Sequence, residues 1–233
     1  MLISVGKRFV FVANSKTAST SVETNLVTEA EIQRGGSPQR KHIYLRAALR
    51  EYDFLFGRPK YAPETFFKFG IMRDPVDWIQ SWYRYRKGNK VNRPIDSSTT
   101  FEEFWKQQAE QSAKSGKKNL QSSFFTRVNG TVLADYIIPY DDLTSHFTTI
   151  AKGLDVKETL PHRNTSNIKT LETPLSEALV DEIRAYYAPD YALLNQLDDI
   201  NTRGLAHLQA TRPAANAKTG KAGRAQTAAT PEG

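Results

Sequence analysis

Cysteine is absent from this chain of 233 residues, which excludes a disulfide framework and any thiolate-bound metal. Histidine is scarce. Its four copies show neither H-x-x-x-H nor H-E-x-x-H spacing, so the sequence assembles no zinc cluster and no metal is expected. No run of about 18 apolar residues exists to span a bilayer. The chain enters a strand-like run at once, without the basic segment, apolar core and small-residue cleavage site of a leader. The expectation is a soluble, cytoplasmic protein with no stable membrane insertion. Glycine is missing between Gly6 and Gly35. That rules out a Walker A loop, G-x-x-x-x-G-K followed by Ser or Thr, in this part of the chain.

What is present points to a folded globule. Apolar residues make up 39%, with twelve Phe, ten Tyr and three Trp, enough for one sizeable core. One α/β domain is expected over residues 1–208. Residues 209–233 are rich in Ala, Thr, Lys and Gly, lack periodicity, and are expected to be disordered. The net charge of +7 raises the question of nucleic acid. Part of it is tail: Arg212, Lys218, Lys221 and Arg224 face only Glu232 there. The modest excess left for the body suits a pocket for a polyanionic cofactor, and nucleic acid is not the expected partner.

The chain is organised around residues 9–26. Phe9, Val10, Phe11, Val12 and Ala13 read as a buried strand. Asn14-Ser15-Lys16 ends it, and Thr17-Ala18-Ser19-Thr20-Ser21 follows, five small residues of which four carry hydroxyls. Val22, Leu26, Val27 and Ala30 then recur at helical spacing. A strand, a tight loop and a helix start place one Lys and several hydroxyls beside helical N–H groups that lack intrahelical partners. Phosphate or sulfate fits such a pocket. A capped, Ser/Thr-rich loop with an exposed Lys would carry the same letters.

A second strand, residues 65–72, runs into Arg73-Asp74-Pro75. Asp74 is a good N-cap and Pro75 suits the first helical position. Val76, Ile79 and Tyr83 share one face of the ensuing helix, and Ser81 lies two turns in. Arg73 offers a planar fork for phosphate oxygens and Ser81 one further hydroxyl. An Arg paired with Asp74 or Asp77, beside a Ser that merely packs, fits these residues equally well.

The run K-T-A-S-T-S at residues 16–21 resembles the 5′-phosphosulfate loop of sulfotransferases that use 3′-phosphoadenosine 5′-phosphosulfate (PAPS), especially carbohydrate sulfotransferases. F-x-x-x-R-D-P at residues 69–75, with Ser81 and Tyr83, is similar to the 3′-phosphate motif of the same family. Tyr140-Asp141-Asp142-Leu143 and the Leu175-Ser176…Ile183…Tyr187…Asp190-Tyr191…Leu193-Leu194 pattern look like later family features. The resemblance implies a mostly parallel sheet flanked by helices, with a P-loop-like anion site. It also implies sulfuryl transfer to a hydroxyl, with carbohydrate as acceptor, in a soluble bacterial-type member. Lys16, Thr17, Ser19, Thr20 and Ser21 would hold the phosphosulfate, Lys16 would assist the leaving oxygen, and Arg73 and Ser81 would bind the 3′-phosphate. Many relatives carry Arg where this chain has Trp78, which removes one basic contact.

An acceptor hydroxyl needs a base. His42, in a polar basic loop between the two motifs, is the first candidate and His162 the second. Glu23 and Glu64 are carboxylate alternatives, and His146 and His207 have weaker contexts. Lys117, Lys118 and Gln121 would touch an acidic ligand or form a solvated face. Helices are expected over residues 45–52, 100–111, 119–127 and 141–152, and one long helix from residue 173 to 194. Two other functions remain open. A kinase would require Mg²⁺ held by Asp141 or Asp142. A silent polyanion binder would use a basic aromatic strip from Tyr83 to Lys87.

Overall fold

The computed structural model describes residues 1–88, 94–160 and 174–211; the tail from 212 onward lies outside them. Strands β1 (Leu2–Ser4) and β2 (Phe9–Val12) form the expected hairpin, with Leu2 opposite Phe11. Helix α1 (Ser19–Leu26) follows, then a 3-10 turn over Val27–Glu29. A short strand β3 (Ile32–Gln33), which the sequence did not signal, pairs antiparallel with β1. Short helices α2 (Pro38–Lys41), α3 (Leu45–Glu51) and α4 (Asp53–Phe56) lead to β4 (Phe67–Met72) and α5 (Pro75–Gly88). Then come α6 (Phe101–Ser115), β5 (Tyr136–Pro139) and α7 (Leu143–Leu154). The described chain closes with α8 (Glu177–Tyr186), α9 (Ala188–Leu194) and α10 (Leu197–Ala210).

The five strands stand in the order β3-β1-β2-β4-β5. β2, β4 and β5 run parallel and form the core of a mixed sheet, whereas the β1 and β3 pairings are antiparallel. The fold is a single α/β domain. The sheet is parallel in its core, not across its whole width, because the tight turn after β1 forces an antiparallel neighbour. β2 and β4 read as unbroken apolar runs because both faces are covered. Phe9, Phe11, Phe67, Phe69 and Ile71 pack under α1 and α7, while Val10, Val12 and Met72 pack under α3, α4 and α9. Gly70 is required by that second face, since a Cβ there would stand 2.6 Å from Phe125. A third apolar cluster, without strand residues, joins α5, α6 and α8 through Trp78, Ile79, Phe104, Trp105 and Ile183.

Several helix boundaries follow local chemistry. Asp74 Oδ1 accepts the N–H groups of Val76 (2.8 Å) and Asp77 (3.1 Å), so the expected cap forms. Thr100 and Glu103 make a reciprocal capping box at the start of α6. Three expectations change. Residues 119–127 hold only a 3-10 turn over Ser122–Phe124, because Gln121 and Ser122 direct their N–H groups to Asp190. The long C-terminal helix is two, capped by Ser176 and broken at Tyr187, with Pro189 opening the second. Helix α10 continues to Ala210, past the expected end of order at residue 208.

Helix α10 covers the β5 edge. Asn201 Oδ1 accepts from the Ile137 N–H (2.8 Å) and Asn201 Nδ2 donates to the Ile137 carbonyl (3.0 Å). The side-chain amide satisfies backbone groups that an edge strand leaves open. The approach is so close that a Cβ on Gly204 would stand 1.8 Å from the Asp135 carbonyl oxygen. An alanine ordinarily stabilises a helix interior by about 1 kcal/mol over glycine. Here overpacking reverses the sign. Gly204→Ala should destabilise the fold by about 1–3 kcal/mol, read from the urea midpoint; an unchanged or raised midpoint would show that α10 does not rest on β5 this way.

Candidate functional site

Because β2 and β4 are parallel and in register, with Val12 opposite Gly70, their following loops leave from the same end of the sheet. One loop carries Lys16 and the other Arg73. Lys16 and Ala18 both sit in the left-handed region, at φ of 62° and 55°. Each costs about 1–2 kcal/mol for a side chain with a Cβ. Left-handed residues at alternate positions, on either side of Thr17, are the backbone pattern from which anion-binding nests are built. Ala18 gives α1 no side-chain cap, and no acidic residue stands in its first turn.

The loop is held from below. Thr17 is buried, and its hydroxyl donates to the Asn14 carbonyl (3.0 Å). Asn14 Nδ2 donates to Gln121 Oε1 (3.0 Å) and to the Ile71 carbonyl (3.3 Å). Gln121 then grips both backbone groups of Arg73: its Oε1 accepts from Arg73 N (3.2 Å) and its Nε2 donates to Arg73 O (2.7 Å). Behind it, Asp190 accepts the N–H groups of Gln121 (3.0 Å) and Ser122 (2.8 Å), although burial pushes its carboxyl above the usual range. Gln121 is fully buried, so the solvated face considered for it is replaced by a structural amide. Trp78 ties α5 to the loop by donating from Nε1 to the Ser15 carbonyl (2.7 Å). Tyr191 donates to Asp74 Oδ2 (2.9 Å); burial first, and then that carboxylate, push its hydroxyl up to about 12.

Three cations converge above this frame. Burial, and then the charges of Arg73 and Arg84, pull the Lys16 ammonium down to about 8. Burial and Arg73 lower Arg84 in turn. Aromatic faces, not carboxylates, carry two of them: Lys16 Nζ lies 3.8 Å from the centre of the Tyr85 ring, and the Arg73 guanidinium 4.3 Å from that of Tyr140. Arg73 Nε is buried without a hydrogen-bond partner among the described residues. Asp77, Ser81 and Arg84 recur at i, i+4 and i+7 and therefore share one face of α5. The Asp77 carboxyl is pushed up by burial, against the opposing pull of Arg73.

Of the expected residues, Lys16, Arg73 and the start of α1 come together, with Ser81 on the adjoining helix. Ser19 and Ser21 are buried, and Thr20 Oγ1 accepts from Lys41 Nζ (3.1 Å). His42 joins them, with its Nδ1 2.7 Å from the Ala13 carbonyl. A carbonyl only accepts, so Nδ1 carries the hydrogen and Nε2 is left with its lone pair. Burial lowers the His42 pKa below its ordinary value, which keeps the ring neutral at pH 7. Glu23 is committed to an ion pair with Lys41 (2.7 Å). Glu64 and His207 meet at the far end of the sheet, before β4, where His207 Nε2 contacts the Glu64 carbonyl (2.8 Å). His146 binds the Tyr136 hydroxyl (2.6 Å) at the start of β5. His162 lies outside the described residues. Asp141 and Asp142 are exposed, and no group of three metal-ligating side chains occurs among the described residues.

Asn14 was not singled out as a site residue by sequence reasoning, Gln121 was read as a ligand contact or a solvated face and not as a support, and Arg84 entered only within the basic aromatic strip of a polyanion binder. The i, i+4, i+7 spacing of Asp77, Ser81 and Arg84 is the one signal that could have found Arg84. No family model matches the chain, and neither curated proteins nor solved structures give a match.

The triad makes a measurable demand. With lysines ¹³C-methylated, NMR should show Lys16 titrating near 8, well below the ordinary lysine value of about 10.4. Arg84→Gln removes a like charge, so the Lys16 midpoint should rise; a midpoint unmoved by that change would mean the cations do not converge.

Proposed function

We propose that this chain is a PAPS-dependent sulfotransferase with a P-loop-like phosphosulfate site, acting on a hydroxyl of a carbohydrate. The observation that carries the reading is the group of three cations, Lys16, Arg73 and Arg84, gathered beside the uncapped start of α1 with no direct ion pair in the described contacts and one half-buried carboxylate, Asp77, within electrostatic range of the two arginines. Like charges gathered under partial burial are unfavourable alone and favourable around a multiply charged anion. A donor with a 5′-phosphosulfate and a separate 3′-phosphate suits a site split between two loops. Lys16 and the N–H groups at Ser19 and Thr20 take the phosphosulfate. Arg73, through its unpartnered Nε, and Ser81 take the 3′-phosphate. Arg84 supplies the helix-borne cation that Trp78 does not.

His42 is the base of this proposal. Its Nε2 receives the acceptor hydroxyl's proton as the oxygen bonds to sulfur. The bond between sulfur and the phosphate oxygen breaks, and its electron pair leaves on that oxygen, which Lys16 steadies. Every step is positioning and charge stabilisation, for which the chain's own residues suffice.

Calorimetric titration without magnesium tests the donor site. 3′-Phosphoadenosine 5′-phosphate (PAP) should bind much more tightly than AMP or ATP. Arg73→Ala should weaken PAP by roughly 10- to 150-fold, the equivalent of about 1.5–3 kcal/mol for a charged hydrogen bond, and erase its advantage over AMP. Equal binding of PAP and AMP by the unaltered chain would overturn the assignment. ATP binding that needs magnesium would favour a kinase.

The pH profile tests the acid–base roles. kcat/KM should rise with pH through a His42 midpoint below 6.5 and fall through about 8 as free Lys16 loses its proton. His42→Ala should cut kcat by about 10²–10⁴-fold and leave PAP affinity intact. A profile without a rising limb at acid pH would remove His42 from the proposed mechanism, and PAP binding without turnover of any acceptor would mark a silent binder.

A further inference from the structure

The two lysines near the start of α1 are held in opposite ways. Lys41 Nζ is 2.7 Å from Glu23 and 3.1 Å from Thr20 Oγ1, so both an ion pair and a hydrogen bond hold it. Lys16 Nζ rests 3.8 Å from the centre of the Tyr85 ring, and no hydrogen-bond acceptor or carboxylate meets it among the described residues. Arg73, from the loop after β4, and Arg84, from α5, add like charge beside it. Asp77 of α5 is within range of those arginines. Burial and like charge both favour the neutral amine over the ammonium. At pH 7.5 a midpoint of about 8 leaves roughly a quarter of the Lys16 amines neutral, against about one in a thousand at the ordinary lysine value.

A neutral amine is a nucleophile, and its neighbours here select the electrophile. Arg73 Nε is buried without a hydrogen-bond partner among the described residues. A guanidinium in that state suits a phosphate oxygen. The electrophile favoured is therefore one that carries its own phosphate. A neutral acylating agent gives the arginines nothing to hold. A phosphate monoester gives them an anion but offers the amine no activated carbon. An acyl phosphate supplies both in one group, with its carbonyl carbon one oxygen away from phosphorus.

We propose that Lys16 is a covalent modification site that small acyl phosphates acylate. The cation cluster is all this requires; the identity of the sulfuryl donor does not enter. The Lys16 Nζ lone pair attacks the carbonyl carbon, and a C–N bond forms. The bond between that carbon and the bridging oxygen breaks, and its electron pair leaves on the phosphate. Arg73 and Arg84 stabilise the charge that gathers there. The proton shed by nitrogen passes to the departing phosphate. The products are an N-acyl-lysine and inorganic phosphate. The amide carries no charge, so acylation removes one of the three cations and closes the site to polyanions.

Acetyl phosphate, added to the full chain without nucleotide and followed by peptide mass spectrometry, tests this. Lys106 and Lys114, exposed on α6, are the internal references. Lys16 should acetylate at least about tenfold faster than either, the gain in neutral amine outweighing its lower basicity. Inorganic pyrophosphate should slow Lys16 and leave the references unchanged. Arg84→Gln removes both a like charge and a phosphate contact, and should lower the preference for Lys16 about fivefold or more. Labelling of Lys16 no faster than that of the references overturns the proposal. So does a preference that pyrophosphate leaves untouched, which would make Lys16 a reactive amine with no anion site to guide the reagent. The acetylated chain should bind PAP at least about tenfold more weakly, the loss of one charged contact. Selective acetylation of a chain that does not bind PAP keeps the modification site and overturns the donor assignment; PAP binding without selective acetylation does the reverse.

Discussion

One carboxamide holds the candidate site together. Gln121 receives Asn14 from the loop after β2, brackets the backbone of Arg73 after β4 on both sides, and is itself held from behind by Asp190. Trp78, donating from Nε1 to the Ser15 carbonyl, adds a second tie between the β2 loop and the segment after β4. Parallel strands fix the directions in which the two loops leave; Gln121 fixes their separation. In a buried setting each of these bonds is costly to leave unmade. The loops therefore move together or not at all, and the distance between Lys16 and Arg73 is a property of the fold, not of a bound ligand.

On that frame the protein holds charge in an unusual way. Lys16 and Arg73 rest on the faces of Tyr85 and Tyr140. A ring face attracts a cation by about 0.5–2 kcal/mol without neutralising it. A carboxylate in the same place would satisfy the cation and close the site to anions. Asp77 is near enough to feel Arg73, yet burial weakens its tendency to ionise. The left-handed Lys16 and Ala18 belong to the same design. Glycine would relax the loop, but it would also leave more freedom to lose on folding.

The sequence displayed the parts of this arrangement that depend on neighbours in the chain. Phe9–Val12 is a buried run because both its faces are covered, and Asp74-Pro75 is a helix start by capping chemistry alone. Lys16 and Arg73 stood out by type and by position after strands. Gln121 was noticed only as a ligand contact or a solvated face, because an amide beside a 3-10 turn has no periodicity and its burial is decided by Asn14 and Arg73, distant in sequence. Arg84 was hidden in a run of alternating aromatics and arginines, where Trp78 drew attention as the missing cation. Helix α10 was missed for a related reason. Asn201 and Gly204 sit on its buried face and resemble helix breakers, and only the edge of β5 explains them.

That edge has a consequence during synthesis. The backbone of Ile137 is completed by a side chain that leaves the ribosome only after everything between β5 and α10. At about 5–20 residues per second, the rim of the sheet stays open for several seconds, able to pair with any extended segment nearby. The nascent chain is thus most exposed to mispairing late, when its core strands already exist. A chaperone holding the newly made protein would find its most useful contact at β5, and would be displaced when Asn201 docks.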